Sequence, residues 1–125
     1  MRIILDTNFL LLPDRFGVDI FSELERVVGG SYEVFTIEPV MRELRGLARE
    51  KGKDAGAAKV GLQLVEKMDV KTLKTRESDA DKAILELARK EGFVVATQDI
   101  ELRKKTRARG GKVIYLRAKQ YLVLV

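Results

Sequence analysis

The chain has 125 residues, 46% of them apolar, which is enough to build one hydrophobic core and too apolar for a disordered chain. Twenty-four basic residues against nineteen acidic ones leave a net charge of +5, a balance that suits a polyanionic partner without requiring one. Cysteine and histidine are absent, which excludes disulfides, thiol nucleophiles, zinc held by Cys or His, and any Ser-His-Asp triad.

Chemistry in such a chain falls to carboxylates, lysines, hydroxyls or a metal held by oxygen, and an all-oxygen site favours Mg²⁺ or Mn²⁺. No apolar run approaches the roughly 20 residues of a membrane span. Met1-Arg2-Ile3-Ile4-Leu5-Asp6 meets a charge too early for a secretory leader. A cytoplasmic protein with no membrane contact is expected.

Arg2 to Leu5 reads as a short buried strand, an apolar run that stops at Asp6. Phe9 to Leu12 continues apolar, and Pro13-Asp14 predicts a loop. After Asp19, the residues Ile20, Phe21, Leu24, Val27 and Val28 share one helix face, and Gly29-Gly30 ends that helix. Tyr32 to Thr36 is a second strand. Pro39 suits the first turn of a helix striped by Val40, Met41, Leu44, Leu47 and Ala48, which Gly52 breaks. Ala57, Gly61, Leu64, Val65 and Met68 form a further helix whose small residues permit close packing, and Val70 to Leu73 is a candidate edge strand. Ser78 opens a helix with Ala80, Ala83, Ile84, Leu87 and Ala88 on one face, closed by Gly92. Phe93 to Ala96 is apolar without alternation, as expected of a strand covered on both faces. Asp99 to Arg109 is a short basic helix closed by Gly110-Gly111, and Val113 to Leu116 is the last clear strand. The apolar tail Tyr121 to Val125 is open to three roles: a further strand, a cover for the core, or a contact with a partner. Strands alternating with helices predict an α/β fold in one domain over residues 1–125, a parallel sheet with helices on both faces.

In such sheets ligands gather beyond the carboxyl ends of the strands, where the strand order reverses. Asp6 follows the first strand and Asp99 follows the fourth, so the two carboxylates meet if those strands are neighbours. Their repulsion then calls for a cation. Asp99 is equally open to helix capping. Asp6-Thr7-Asn8 precedes an apolar run rather than a clear amphipathic helix, which favours a ligand role for Asp6. Ser78 and Asp81 have the spacing of a capping box, with Asp79 an additional acid in the first turn. The other reading points Asp81 into the cleft shared by Asp6 and Asp99. Glu43 lies beside the apolar stripe of its helix, at a position open to solvent or to a cleft; Glu38, where a helix cap would be, is a weaker candidate. From Asp99 to Lys119 eight basic residues face two acidic ones, a local balance of +6 that exceeds the charge of the whole chain. A solvated helix face accounts for such a run. Next to a carboxylate site, Arg103, Lys104, Lys105, Arg107, Arg109 and Lys112 read as a place for a phosphate backbone to dock.

Taken together, Asp6-Thr7-Asn8, Glu43-Leu44, Asp81-Lys82-Ala83-Ile84 and Thr97-Gln98-Asp99 resemble the PIN-domain ribonucleases, in order and over essentially the whole chain. Val95 to Arg103 is similar to the branch containing small-subunit ribosomal RNA processing endonucleases, and VapC-type toxins share the same core. The resemblance implies a three-layer α/β/α fold around a central parallel sheet of four or five strands, and cleavage of single-stranded RNA with Mg²⁺ or Mn²⁺. It carries over Asp6, Glu43, Asp81 and Asp99 as the acidic set, with Asn8 and Thr97 as supporting polar residues. Asp79 competes with Asp81 for the third place, and Ile84 at the expected offset favours Asp81. Water as nucleophile, with 5′-phosphate and 3′-hydroxyl products, is expected. A homodimer is also expected, and a toxin would have an antitoxin partner.

Two other readings compete. An Asp-nucleophile phosphatase or receiver domain needs an acidic neighbour and a supporting Lys after a late strand, whereas Thr7 and Asn8 follow Asp6 and no such Lys is present. A non-catalytic RNA-binding or assembly module would keep the fold and the basic surface without turnover, and the intact acidic set stands against it.

Overall fold

Three consecutive apolar residues, Ile3, Ile4 and Leu5, are fully shut from solvent in β1 (Arg2–Leu5) of the computed structural model, which describes residues 1–125. Two short helices follow, α1 (Thr7–Leu10) and α2 (Leu12–Phe16), then α3 (Ile20–Val28), capped at its start by the Asp19 carboxylate. Gly29 ends α3 in the left-handed region at φ 68°, a conformation that costs a glycine little. The chain continues through β2 (Glu33–Ile37), α4 (Glu38–Arg49), α5 (Lys53–Lys67) and β3 (Lys71–Leu73). It finishes with α6 (Ala80–Glu91), β4 (Val94–Ala96), α7 (Ile100–Ala108), β5 (Val113–Arg117) and β6 (Tyr121–Leu124).

The strands form one sheet in the order β3-β2-β1-β4-β5-β6. Its first five strands are parallel, and β6 runs antiparallel to β5. β1 is central, with Leu5 opposite Ala96 of β4 and Ile4 opposite Phe35 of β2. Helices α6 and α7 pack on each other and over β4 and β5; α1, α2, α4 and α5 pack together, and α3 lies along β6. Right-handed crossovers place the two groups on opposite faces of the sheet, giving the three layers. A single cluster of 31 buried apolar residues fills the space between them.

The expected parallel sheet of four or five strands is therefore a sheet of six with one antiparallel edge. Only Ala118 to Gln120 separate β5 from β6, too few for the crossover that a parallel pair requires, so the chain turns straight back. Ala118 and Lys119 both have positive φ, 55° and 56°, in a hairpin turn where Asn-Gly is the usual signal. Phe9 to Leu12 and the supposed loop at Pro13-Asp14 are the helices α1 and α2. The Asp6 carboxylate caps the first of them, and Pro13 occupies the opening turn of the second, where its missing N–H costs nothing.

Close packing at Gly61 fixes the height of α5 over α1, because a methyl group there would stand 2.7 Å from the Leu10 carbonyl oxygen. Gly61→Ala is expected to lower stability by about 1–3 kcal/mol in denaturant titration. Gly46→Ala, inside α4 with open space around it, is expected to raise stability by roughly 0.5–1 kcal/mol.

Candidate active site

The strand order turns about β1: the chain moves out through β2 and β3, then returns to lay β4 on the other side of β1. Side chains just past the carboxyl ends of β1 and β4 thus share the crevice where α/β sheets bind ligands. The Asp6 backbone N–H donates to the Ala96 carbonyl at 3.0 Å, which sews the two strand ends together.

Asp6 is 3% exposed. Its Oδ1 accepts the Thr7 backbone N–H at 2.8 Å, and its Oδ2 accepts the Thr97 hydroxyl at 2.6 Å. Burial pushes its pKa up, the Thr97 and Thr7 hydrogen bonds pull it down, and the nearby Glu43 and Asp99 charges push it up again. The net direction is upward. A neighbouring positive charge would reverse the burial and repulsion contributions.

Past β4, Thr97 is fully buried and ties the loop together. Its one hydroxyl proton goes to Asp6, so the 3.2 Å approach to the Asn8 side-chain oxygen is the lesser contact. The same hydroxyl accepts the Asp99 N–H at 3.1 Å, while the Asn8 oxygen accepts the Gln98 N–H at 2.9 Å. Gln98 grips the end of β5 with its side chain, accepting from Leu116 N–H at 2.6 Å and donating to the Leu116 carbonyl at 3.3 Å. Asp99 caps α7 by accepting the Leu102 N–H through Oδ1 at 3.1 Å. It also lines the cleft. Capping and ligand roles are compatible, since capping uses one oxygen.

Glu43, on α4, accepts the Thr7 hydroxyl at 2.6 Å and so is drawn toward β1. The predicted capping box does not form. Asp79, rather than Ser78, caps α6, accepting the Lys82 N–H at 3.0 Å, while its own N–H donates to Glu77. An extended Asp79 backbone lets the carboxylate reach the helix start from its own position, which leaves Asp81 free to face the cleft. Desolvation, followed by the charges of Asp6, Asp99, Asp79 and Glu43, raises the Asp81 pKa from the ordinary 3.8 to about 6.

One cleft of about 430 Å³ is lined by Asp6, Asn8, Glu43, Asp79, Asp81 and Asp99, with Thr7 and Arg15 beside them. A roomier hollow of about 720 Å³ lies beside α3 and β2, but it gathers no comparable set of acids. In the cleft, as placed, no three acids stand close enough to enclose an ion. Asp6 and Glu43 instead point oxygens at threonine hydroxyls. The donors are nevertheless all oxygen, which fits a hard divalent cation, and such a cation would offset both the desolvation and the neighbouring charges that raise the Asp81 pKa.

Three residues in or behind the cleft carry weak sequence signals. Thr7 and Gln98 sit inside recognisable tripeptides, but their bonds to Glu43 and β5 depend on long-range placement. Arg15, the only cation lining the cleft, pairs with Asp54 of α5 at 2.5 Å. The six basic residues expected beside the acids do not line the cleft. Helix α7 starts there but runs away from it by roughly 13 Å over its length. Arg109 and Lys112 therefore lie near Met1 and Phe93, at the opposite end of the sheet.

The raised pKa of Asp81 has a consequence for stability. Between pH 4 and about 6 the folded chain holds a proton that the unfolded chain has released, so this group costs stability as pH rises through that window. Without divalent ions, Asp81→Asn is expected to raise Tm at pH 7 and to leave it unchanged below pH 4. Solvent screening of this exposed side chain keeps the gain small.

Comparison with known proteins agrees with this geometry. The family described as a PIN like domain matches residues 3–119. The chain is 32% identical over 124 residues to Ribonuclease VapC4 of Methanocaldococcus jannaschii, covering 96% of this chain and 93% of the relative. It is 36% identical over 115 residues to Ribonuclease VapC9 of Archaeoglobus fulgidus, covering 91% and 82%. The solved structure of the PIN domain endonuclease Utp24 shares the fold at a TM-score of 0.82 and 20% identity, over 98% of this chain and 90% of that one. A domain of a functionally unknown protein from Methanocaldococcus jannaschii shares it at a TM-score of 0.66 and 16% identity, over 94% and 91%. With the family match nearly end to end and two ribonucleases at 32% and 36% identity, the chain belongs to the PIN-domain ribonuclease family.

Proposed function

We propose that the protein is a Mg²⁺- or Mn²⁺-dependent endoribonuclease that hydrolyses single-stranded RNA with water as the nucleophile, leaving a 5′-phosphate and a 3′-hydroxyl. The observation that carries this reading is a single all-oxygen cleft lined by carboxylates from four separate segments, Asp6, Glu43, Asp81 and Asp99. These four would hold the cation. When bound, it supplies a lowered pKa for a coordinated water and an offset for the charge on the leaving oxygen.

The chain's own residues prepare the cleft for that role. The Thr97 hydroxyl fixes Asp6 Oδ2 and favours its ionised form. Thr7 holds Glu43 against the same end of the sheet, and Asn8 fixes the loop that presents Asp99. Arg15 offers a positive charge to a phosphate entering an otherwise acidic cleft. The relatives named Ribonuclease VapC favour a toxin role with an antitoxin partner over ribosomal RNA processing. A homodimer and a cytoplasmic site of action belong to the same proposal.

A second reading, a non-catalytic RNA-binding or assembly module, draws support from the acids not being gathered into a ready-made cage. Cleavage separates the two. On single-stranded RNA with Mg²⁺, Asp6→Asn is expected to reduce kcat/KM by more than the roughly 10–100-fold typical of an outer partner. Chelation by EDTA is expected to abolish turnover. Persistent cleavage in EDTA, or full activity in a folded Asp6→Asn variant, would contradict the metal scheme. Thr97→Val, which keeps the shape and removes the hydroxyl bonded to Asp6, is expected to cost about 10–100-fold in activity or metal affinity. The loss should be read as a higher Mg²⁺ concentration at half-maximal rate.

A further inference from the structure

We propose that the open sheet face beside α7 is the track for the nucleotides flanking the cleaved bond in single-stranded RNA. The inference rests on the nuclease reading above and names where the rest of the substrate lies.

Alternate residues of β5 put Val113, Tyr115 and Arg117 on one face of the sheet. The β6 register adds Val123 beside Tyr115 and Tyr121 beside Arg117. Helix α7 covers only part of this surface, leaving Val125 43% and Tyr121 40% exposed, and its own first residue, Ile100, is 58% exposed. Between helix and sheet runs a groove of about 610 Å³ lined by Ile100, Arg103, Lys104, Arg107, Tyr115 and Val125, among others. No acidic side chain lines it.

The cations in this groove are not explained by the fold. Helix C-termini attract basic residues, which accounts for Lys105 and Arg107 in the last turn of α7 but not for Arg103 or Lys104 earlier in it. Arg103, Lys104 and Arg107 take part in no ion pair within the chain. Spacings of three and four residues bring them to one side of the helix. The Arg103 guanidinium lies 4.1 Å over the Tyr115 ring, and its Nε is the one buried side-chain polar atom with no hydrogen-bond partner. The Tyr115 hydroxyl accepts from Arg117 at 2.8 Å, and the Arg117 guanidinium lies 5.7 Å from the ring centroid, so two guanidinium groups stand at this tyrosine.

Planar cations stacked on an aromatic ring, with further cations along one edge, match bases and phosphates together. The groove also begins where the acidic cleft ends: Asp99 lines the cleft and the next residue, Ile100, lines the groove. A strand leaving the acids past Asp99 enters it directly. An acidic protein segment is the competing occupant, and it would gain nothing from this continuity.

The test is the binding of a short fluorescent oligouridylate, followed by anisotropy in EDTA across a range of salt concentrations. Arg103→Ala/Arg107→Ala is expected to weaken binding at least about 10-fold. It is also expected to flatten the slope of log K against log[salt] by about 1.4, the loss of two phosphate contacts on a single strand. Arg103→Lys/Arg107→Lys should restore the slope but only part of the affinity, because the ammonium keeps the charge and loses the planar stack. Arg109→Ala/Lys112→Ala removes the same charge at the far end of α7 and should change the slope by less than half as much. Unchanged affinity and slope in the first variant, an equal loss in the last, or no RNA binding by the unaltered protein would overturn the proposal. An unchanged slope would leave an acidic protein segment as the occupant. Cleavage of the same RNA by the unaltered protein with Mg²⁺ reports separately on the nuclease reading. Cleavage with an unaffected slope overturns the groove alone, and a lost slope without cleavage overturns the nuclease alone.

Discussion

A carboxylate shut away from water beside other carboxylates is the constraint around which this structure is arranged. Asp6 sits at the end of the central strand β1, 3% exposed, with Glu43, Asp81 and Asp99 bordering the same cleft. A charge in that setting is expensive unless hydrogen bonds or a cation meet it. The chain supplies the hydrogen bonds itself, from the Thr97 hydroxyl and the Thr7 N–H. Positive charge is scarce there: Arg15 alone lines the cleft, and it is shared with Asp54.

Much of the surrounding structure serves to hold that end of the sheet in place. The pairing of Leu5 with Ala96 brings the residues after β1 and β4 together. Gln98 extends the hold to β5 through both atoms of its amide, so the loop carrying Asp99 is fixed on two sides. The contact between Gly61 and the Leu10 carbonyl sets how near α5 comes to the short helix that Asp6 caps. Asp6 and Asp99 each combine capping with a place in the cleft, which a carboxylate can do because its two oxygens offer about four lone-pair sites between them. Asp79 does the capping for α6 alone and thereby leaves Asp81 to the cleft.

Most of the architecture was legible in the sequence because the buried strands are apolar runs and the helices carry periodic stripes and glycine stops. Ile3 to Leu5, Val94 to Ala96 and the stripe around Val40 and Leu44 fall where the pattern puts them. The misreadings have local causes. The hairpin between β5 and β6 turns on Ala118 and Lys119 at positive φ, and neither residue type announces a turn. At the start of α6, Asp79 lies one residue after Ser78, and either fits a capping pattern; backbone geometry chose the first acid. Asp6, Asp81 and Asp99 could be placed beside their strand and helix ends, and Glu43 along its helix. Thr7 and Gln98, by contrast, act through partners 36 and 18 residues away, which spacing does not disclose. The basic segment was visible as a charge run, but its distribution along α7, part beside Tyr115 and part at the far end of the sheet, needed three dimensions.

The central claim is that a divalent ion belongs among these carboxylates. Anomalous diffraction from a crystal soaked in Mn²⁺ tests it most directly. The account predicts a peak in the cleft at coordination distance from Asp6 and Asp99, with Asp81 and Glu43 turned toward it. A cleft without a peak at saturating Mn²⁺, or peaks confined to acids elsewhere on the surface, would contradict it.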